Sequence, residues 1–219
     1  MIAPTPFRPD DKAIAALRES VASKMSEKRF RHTAAVESMV ARLAALYCPA
    51  EENLLRAAAL LHDVTKEWDT DTQLEACRRM GIPTVETDRL AHKTLHAKTA
   101  AALIPEKYPD FDHEIIVSAV RWHTTGRAGM TLCDMLLYLA DYIDDSRLFP
   151  DCVRLRTLFW RPDVAGMTEE ERIAHLYRIL IMSFDMTIRA LVNEGAVVSV
   201  DTVEARNYLV LAEHQSKNN

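Results

Sequence analysis

From Ile14 to Leu191 the apolar residues of this chain return at steps of three and four, the spacing that lines one face of an α-helix. Ile14, Leu17, Val21 and Met25 form one such row, and Val36, Met39, Val40, Leu43 and Leu46 a second. Ile173, Leu176, Leu180, Phe184, Ile188 and Leu191 form a long one near the end. No strand pair or internal repeat emerges, although the stretch GAVVSVD is compatible with a brief extended segment. With only 5 glycines and a composition rich in Ala, Leu, Arg and Glu, little would interrupt helices. An all-α bundle is the expected fold.

Start and stop residues divide the pattern. Asp10–Asp11 begins a helix to about Met25, Ser26 caps a second, and a third runs from roughly Glu51 to Thr65. Further helices are expected over about 71–80 before Gly81, 88–103 before Pro105, 112–123 before Gly126, through TLCDMLLYLADYIDDS, from Thr168 to Gly195, and from Asp201 onward. At 219 residues the chain is long enough for one sizeable core.

A net charge of -5 argues against a broad nucleic-acid footprint, so a phosphate-bearing ligand must be met locally. Cys48, Cys77, Cys133 and Cys152 form no close pairs and read as reduced thiols. Prolines break the apolar core that a signal peptide would need near the N-terminus, and no uncharged stretch reaches membrane-spanning length. These features predict a soluble, cytoplasmic protein with no membrane and no nucleic-acid partner.

Against this apolar background several polar residues face inward. His32 shares the face of Val36 and Leu43, His62 follows Leu55 and Ala58, and Asp141 interrupts LLYLADYI. A lone histidine in such a place is usually a hydrogen-bonded core residue. A carboxylate there costs several kcal/mol unless it is paired or coordinates a metal, at roughly the price of an unpaired buried ion. Taken together, His32, His62, Asp63, His96 and Asp141 are unified by one binuclear cation site, because borderline metals take these N and O ligands and bundle cores hold such sites. His62 and Asp63, adjacent on a helix and about 100° apart, suit two ligands reaching around one metal or an aspartate bridging two.

The segments KRFRHTAAV, LLHDVTKE, TLHAKTA, RWHTTGRAGM and LADYIDDSR, in this order, resemble the HD-domain phosphohydrolases, and more narrowly the YqeK family of symmetrical diadenosine tetraphosphatases. The resemblance extends from about Ser26 to TVEARNYL. It implies an HD-type helical domain over 13–215 that includes the C-terminal helices, with the metal site in its core, a flexible segment over 1–12 and a loose tail over 216–219. It also implies metal ligation by His32, His62, Asp63 and Asp141, with His96 and His123 converting a mononuclear site to a dinuclear one. His92, one turn before His96, is expected at the surface or just behind the metal ligands.

The family's metals are usually iron, with manganese, cobalt or zinc as alternatives, and its reaction splits a dinucleoside tetraphosphate into two nucleoside diphosphates. Two metals about 3.5–4 Å apart can hold a hydroxide at neutral pH and stabilise charge on the attacked phosphoryl group. Asp63 would bridge them.

Lys66, one turn beyond Asp63, is placed to meet a phosphate oxygen or protonate a leaving oxygen. Arg127 and Arg147 are candidates for neutralising outer phosphates, Thr124 and Thr125 for donating hydrogen bonds to them, and Asn207 for bordering a nucleoside pocket. Tyr142, Trp122 and Tyr108 are candidates for stacking on a base, each at a position where core packing serves as well. One departure stands out: where the family shows an acidic residue, Pro, Gly and Arg, this chain has Asp144, Asp145, Ser146 and Arg147, a change expected to shift the loop that carries Arg147.

The expected activity is symmetrical cleavage of diadenosine tetraphosphate to two ADP. The alternatives are hydrolysis of another nucleotide, whether mono-, polyphosphate or cyclic, and a non-catalytic nucleotide-binding sensor. A homodimer is compatible with the chain, whose sequence does not specify oligomeric state.

Overall fold

The computed structural model describes residues 8–216, and among these it contains helices and no strand. In chain order the α-helices are α1 (Asp11–Ala22), α2 (Glu27–Tyr47), α3 (Glu52–Leu61), α4 (Thr70–Arg79), α5 (Glu86–Leu90), α6 (Leu95–Lys107), α7 (Glu114–Trp122), α8 (Leu132–Ile143), α9 (Pro150–Trp160), α10 (Glu169–Asn193) and α11 (Val200–Ser216). Short 3-10 turns precede α3, α6, α7 and α10.

Side-chain caps fix the starts. Asp10 accepts from the Ala13 amide at 2.8 Å and Ser26 from the Arg29 amide at 3.2 Å. Thr131 with Asp134, and Thr168 with Glu171, close reciprocal capping boxes at α8 and α10.

Helix α3 is the hub. Leu54, Leu55 and every residue from Ala57 to Leu61 are buried, and α1, α2, α6, α7 and α8 all pack against it. Its run of alanines lets these neighbours approach closely. One apolar cluster runs from Ile14 on α1 to Leu209 on α11. All four cysteines are free thiols. No helix among the described residues is long and apolar enough to cross a membrane.

Several boundaries differ from expectation. Helix α3 ends at Leu61, and tighter bonds such as Val64 N to Leu61 O and Lys66 N to Asp63 O carry the chain through a turn over 62–67. The helix expected over 88–103 breaks at Ala91, where Asp88 turns back to accept from the Val85 amide. Its second part, α6, runs through Pro105, because the Tyr108 amide bonds to Ile104 and closes the last turn around the missing donor. Helix α9 was not expected; Cys152, Leu155 and Phe159 give it a buried face at helical spacing, and Pro150 occupies its first turn. Of the segment 1–12, Arg8 pairs with Glu51 at 2.9 Å and α1 already begins at Asp11. Residues 1–7 and 217–219 lie outside the described residues.

Gly126 has a φ of +64°, and a Cβ there would lie 2.7 Å from the Phe184 ring and 3.0 Å from Ala205 Cβ. The turn after α7 therefore needs glycine both for its dihedral and for its approach to α10 and α11. Gly126→Ala is expected to destabilise the fold by about 2 kcal/mol or more through strain and overpacking, read as a melting temperature lower by roughly 5 °C. An unchanged melting temperature would show that the turn relaxes without cost.

His175 on α10 is buried, and its Nε2 donates to the Phe159 carbonyl at 3.0 Å. Burial lowers its pKa from the ordinary 6.5. Above that value neither the folded nor the unfolded chain holds the proton. As pH falls below 6.5 the unfolded chain takes it up while the fold resists, so stability declines until the lower folded pKa is reached. Comparing urea midpoints at about pH 7.5 and about pH 5.5, His175→Gln is expected to lose less stability than the wild type. Parallel losses would exclude His175 as a contributor.

Candidate metal centre

The bundle brings together the six side chains singled out from the sequence. His32 comes from α2, His62 and Asp63 from the end of α3, His96 from α6, His123 from the end of α7 and Asp141 from α8. Asp63 is central. Its Oδ2 lies 3.4 Å from His62 Nε2 and 3.8 Å from His32 Nε2, while its Oδ1 lies 3.2 Å from His96 Nε2 and 3.9 Å from His123 Nε2. Asp141 Oδ1 joins the first side, 2.9 Å from His32 Nε2 and 3.9 Å from His62 Nε2. The two oxygens of one carboxylate thus face two different sets of imidazoles.

Local geometry aims these rings. His62 Nδ1 donates to the Ala59 carbonyl at 2.6 Å, and His123 Nδ1 to the Val120 carbonyl at 2.7 Å. Each is anchored to its own helix three residues back, which turns Nε2 toward the cluster. His62 Nε2 is buried and has no hydrogen-bond partner among the described residues. Ligand atoms of His32, His62 and Asp141, and of His62, Asp63 and His123, lie within 4.8 Å of one another. Such imidazole and carboxylate donors could hold a divalent metal ion.

The protonation states agree. Burial acts to raise the Asp63 pKa, but His62 and His96 outweigh it and hold the carboxyl well below the usual range. Burial likewise opposes ionisation of Asp141, which Arg147 and His32 reverse. His96 and His123 are pushed down, chiefly by burial, which favours the neutral imidazole a metal would need. His32 differs: burial lowers it, yet hydrogen bonds with Asp141 and Asp144 push it up to about 9.

Of the other candidates, Lys66 is held at the cluster, its Nζ 3.2 Å from His96 Nδ1, and burial lowers its pKa. Arg147 binds Asp141 at 2.5 Å and lies 3.4 Å from Asp144, so the altered Asp144–Ser146 loop still delivers it to the centre. Thr124 has a buried hydroxyl with no partner among the described residues. Thr125 is buried, and its hydroxyl donates to the Gly126 carbonyl. Arg127 is drawn to the buried Asp134 at 3.2 Å, a pairing within the fold. Asn207 is exposed on α11 and accepts from neighbouring Arg206. His92 is exposed, as expected. Tyr108 is buried in the core, and Trp122 is covered by Arg121 at 4.0 Å.

Several contributors escaped the sequence reading. Arg29 binds Asp63 Oδ2 at 2.7 Å; its place one turn before His32 on the same face was the available signal. Asp144, fully buried, lies 3.4 Å from His32 Nδ1, and Ser146 Oγ lies 3.3 Å from the same nitrogen. Gln73 on α4 donates to the Thr65 carbonyl at 2.5 Å and accepts from Thr99, while Thr65 donates to the His96 carbonyl at 3.0 Å. This buried network ties the turn after α3 to α6, and nothing local in the sequence announces it.

An all-helical core that converges imidazoles and carboxylates on a centre able to hold a cation is the arrangement by which helical bundles build metal sites. The HD domain model matches residues 29–145, which include all six of these side chains, and the chain belongs to the HD-domain family. Its fold resembles the crystal structure of a predicted HD superfamily hydrolase involved in NAD metabolism from Clostridium acetobutylicum, with a TM-score of 0.77, 30% identity and coverage of 90% of this chain and 97% of that one. In sequence it is 29% identical to the symmetrical bis(5'-nucleosyl)-tetraphosphatase of Bacillus subtilis, covering 87% of this chain and 94% of the relative. It is also 29% identical to the protein of the same name from Halalkalibacterium halodurans, covering 85% and 91%.

Asp63→Asn and His62→Gln are each expected to reduce metal bound after anaerobic reconstitution with iron or manganese by about tenfold or more, measured by elemental analysis on protein whose helical circular dichroism is unchanged. Wild-type metal content in both variants would return His62 and Asp63 to the role of buried polar residues.

Proposed function

We propose that this chain is a metal-dependent phosphohydrolase that splits diadenosine tetraphosphate symmetrically into two molecules of ADP. The observation that carries the reading is Asp63, whose two oxygens face separate imidazole sets while Arg29, Lys66 and Arg147 surround the same point. Four negative phosphates need local cations in a chain of net charge -5, and these three supply them. The names of the relatives agree with this substrate.

His32, His62 and Asp141 would hold one cation and His96 with His123 a second, with Asp63 shared between them; iron is the metal that the family resemblance implies. Such ions supply a Lewis acid for the attacked phosphoryl group and acidify the attacking water. The protein's own groups do the rest. Arg29 and Arg147 present guanidinium groups to the phosphate oxygens and fix the polyphosphate in register. Lys66, its pKa lowered chiefly by burial, stands ready to give a proton to the departing diphosphate. Thr124 offers a buried hydroxyl to the same chain of phosphates. Thr125 and Arg127 hold the turn after α7, and Asn207, exposed on α11, is assigned no role in this reading.

Chromatography of diadenosine tetraphosphate incubated with the metal-loaded protein is expected to show ADP as the sole product, with NAD and nucleoside monophosphates left intact. Lys66→Ala and Arg147→Ala should each lower kcat/KM by about 100-fold, the usual loss for one group serving the transition state. ATP with AMP as products would overturn the symmetrical cleavage. Orthophosphate released from a monophosphate would move the substrate to another nucleotide, and saturable binding without turnover would favour a sensor.

A further inference from the structure

A cleft of about 670 Å³ opens beside the centre, lined by Lys28, Arg29, Arg31 and His32 on one side and by the segment from Ser146 to Pro150 on the other. Its inner end belongs to the site already described, through Arg29, His32 and Arg147. Its outer end does not. There the large apolar side chains Leu148 and Phe149 are 81% and 68% exposed, and Lys28 and Arg31 are exposed on the first turns of α2.

Isolated exposed apolar residues are common on proteins, but an aromatic ring at the rim of a cationic cleft has a more specific use. Phe149 is the residue before Pro150, which opens α9, so its backbone is held extended and its ring starts from a fixed place. Among the described residues Arg31 is paired only with the exposed Glu27, at 3.0 Å, an ion pair that solvent screens. The exposed acid of the loop, Asp145, is turned to Arg42 at 3.5 Å and to Arg156 at 3.7 Å. A flat apolar ring beyond a run of cations matches a nucleoside at the end of a run of phosphates.

We infer that this outer cleft is a nucleoside-diphosphate subsite: Phe149, flanked by Leu148, stacks on the base, and Lys28 and Arg31 take the phosphates that extend outward from the centre. The inference rests on the proposed hydrolase reading and identifies where one half of the dinucleotide lies. It assigns base contact to Phe149 and not to Tyr108, Trp122 or Tyr142. Stacking on one ring tolerates any base, so the subsite recognises a nucleoside without selecting strongly among bases.

Binding separates this inference from the hydrolase reading because it requires no turnover. Calorimetric titration of the manganese-loaded protein with ADP and with inorganic pyrophosphate compares a ligand that has a base with one that lacks it. Phe149→Ala is expected to weaken ADP by about tenfold, the loss of one stacked base, and to leave pyrophosphate within about twofold. Phe149→Trp should restore ADP binding. The double variant Lys28→Ala/Arg31→Ala should weaken both ligands and flatten their salt dependence. Unchanged ADP affinity in Phe149→Ala would overturn the inference, as would an equal loss of both ligands, and either result would leave diadenosine tetraphosphate cleavage by the wild type untouched. If the wild type binds ADP as expected but does not cleave diadenosine tetraphosphate, the hydrolase reading fails and the subsite stands.

Discussion

Two ionised carboxylates, Asp63 and Asp141, meet at the centre of the helical bundle, and the surrounding helices supply what their charge requires. An isolated buried carboxylate is far too costly to keep ionised, so each must be met by cations or by well-placed donors. Asp63 is met by Arg29 from α2 and by imidazoles from α3, α6 and α7; Asp141 is met by His32 and Arg147. Helix α3 brings Asp63 to this point because its neighbours bury it on every side, so the apolar packing and the polar cluster are two consequences of one placement.

The same ion pairs suit the centre to ligand exchange. Arg29 and Arg147 rest on the carboxylates that would face a metal, and guanidinium groups pair equally well with phosphate oxygens. Under the proposed reading, cations that balance the core in one state would balance a polyphosphate in another. Lys66 belongs to this set, although a lysine at a helix end is more often solvated, because the turn after α3 carries it back against His96.

The Asp144–Asp145–Ser146 departure from the family pattern has a structural answer. Asp144 is fully buried, accepts from the Ser146 amide at 2.8 Å and lies against both His32 and Arg147. Arg156 from α9 donates to the Asp144 carbonyl and holds the loop from below. The loss of proline and glycine therefore does not release Arg147, because side-chain bonds fix what backbone restriction would otherwise have fixed.

Helical periodicity and capping residues determined the α-helical class, most helix starts and the inward direction of His32, His62 and Asp141, since these depend on contacts within a few residues. They could not place the break at Ala91, the passage of α6 through Pro105 or the short α9, where distant packing outweighs local preference. The six clustered side chains were legible because polar residues in apolar rows are conspicuous. Arg29, Asp144 and Gln73 were not, because charged and amide residues near helix ends are ordinary until their partners are known. Only the tertiary structure decided that Asp63 presents one oxygen to each side of the cluster, that Arg127 pairs with Asp134, and that Phe149 stands exposed beside a row of cations. Sequence spacing sets directions around one helix, whereas a site is made of distances between several helices, and those are fixed only when the whole core closes.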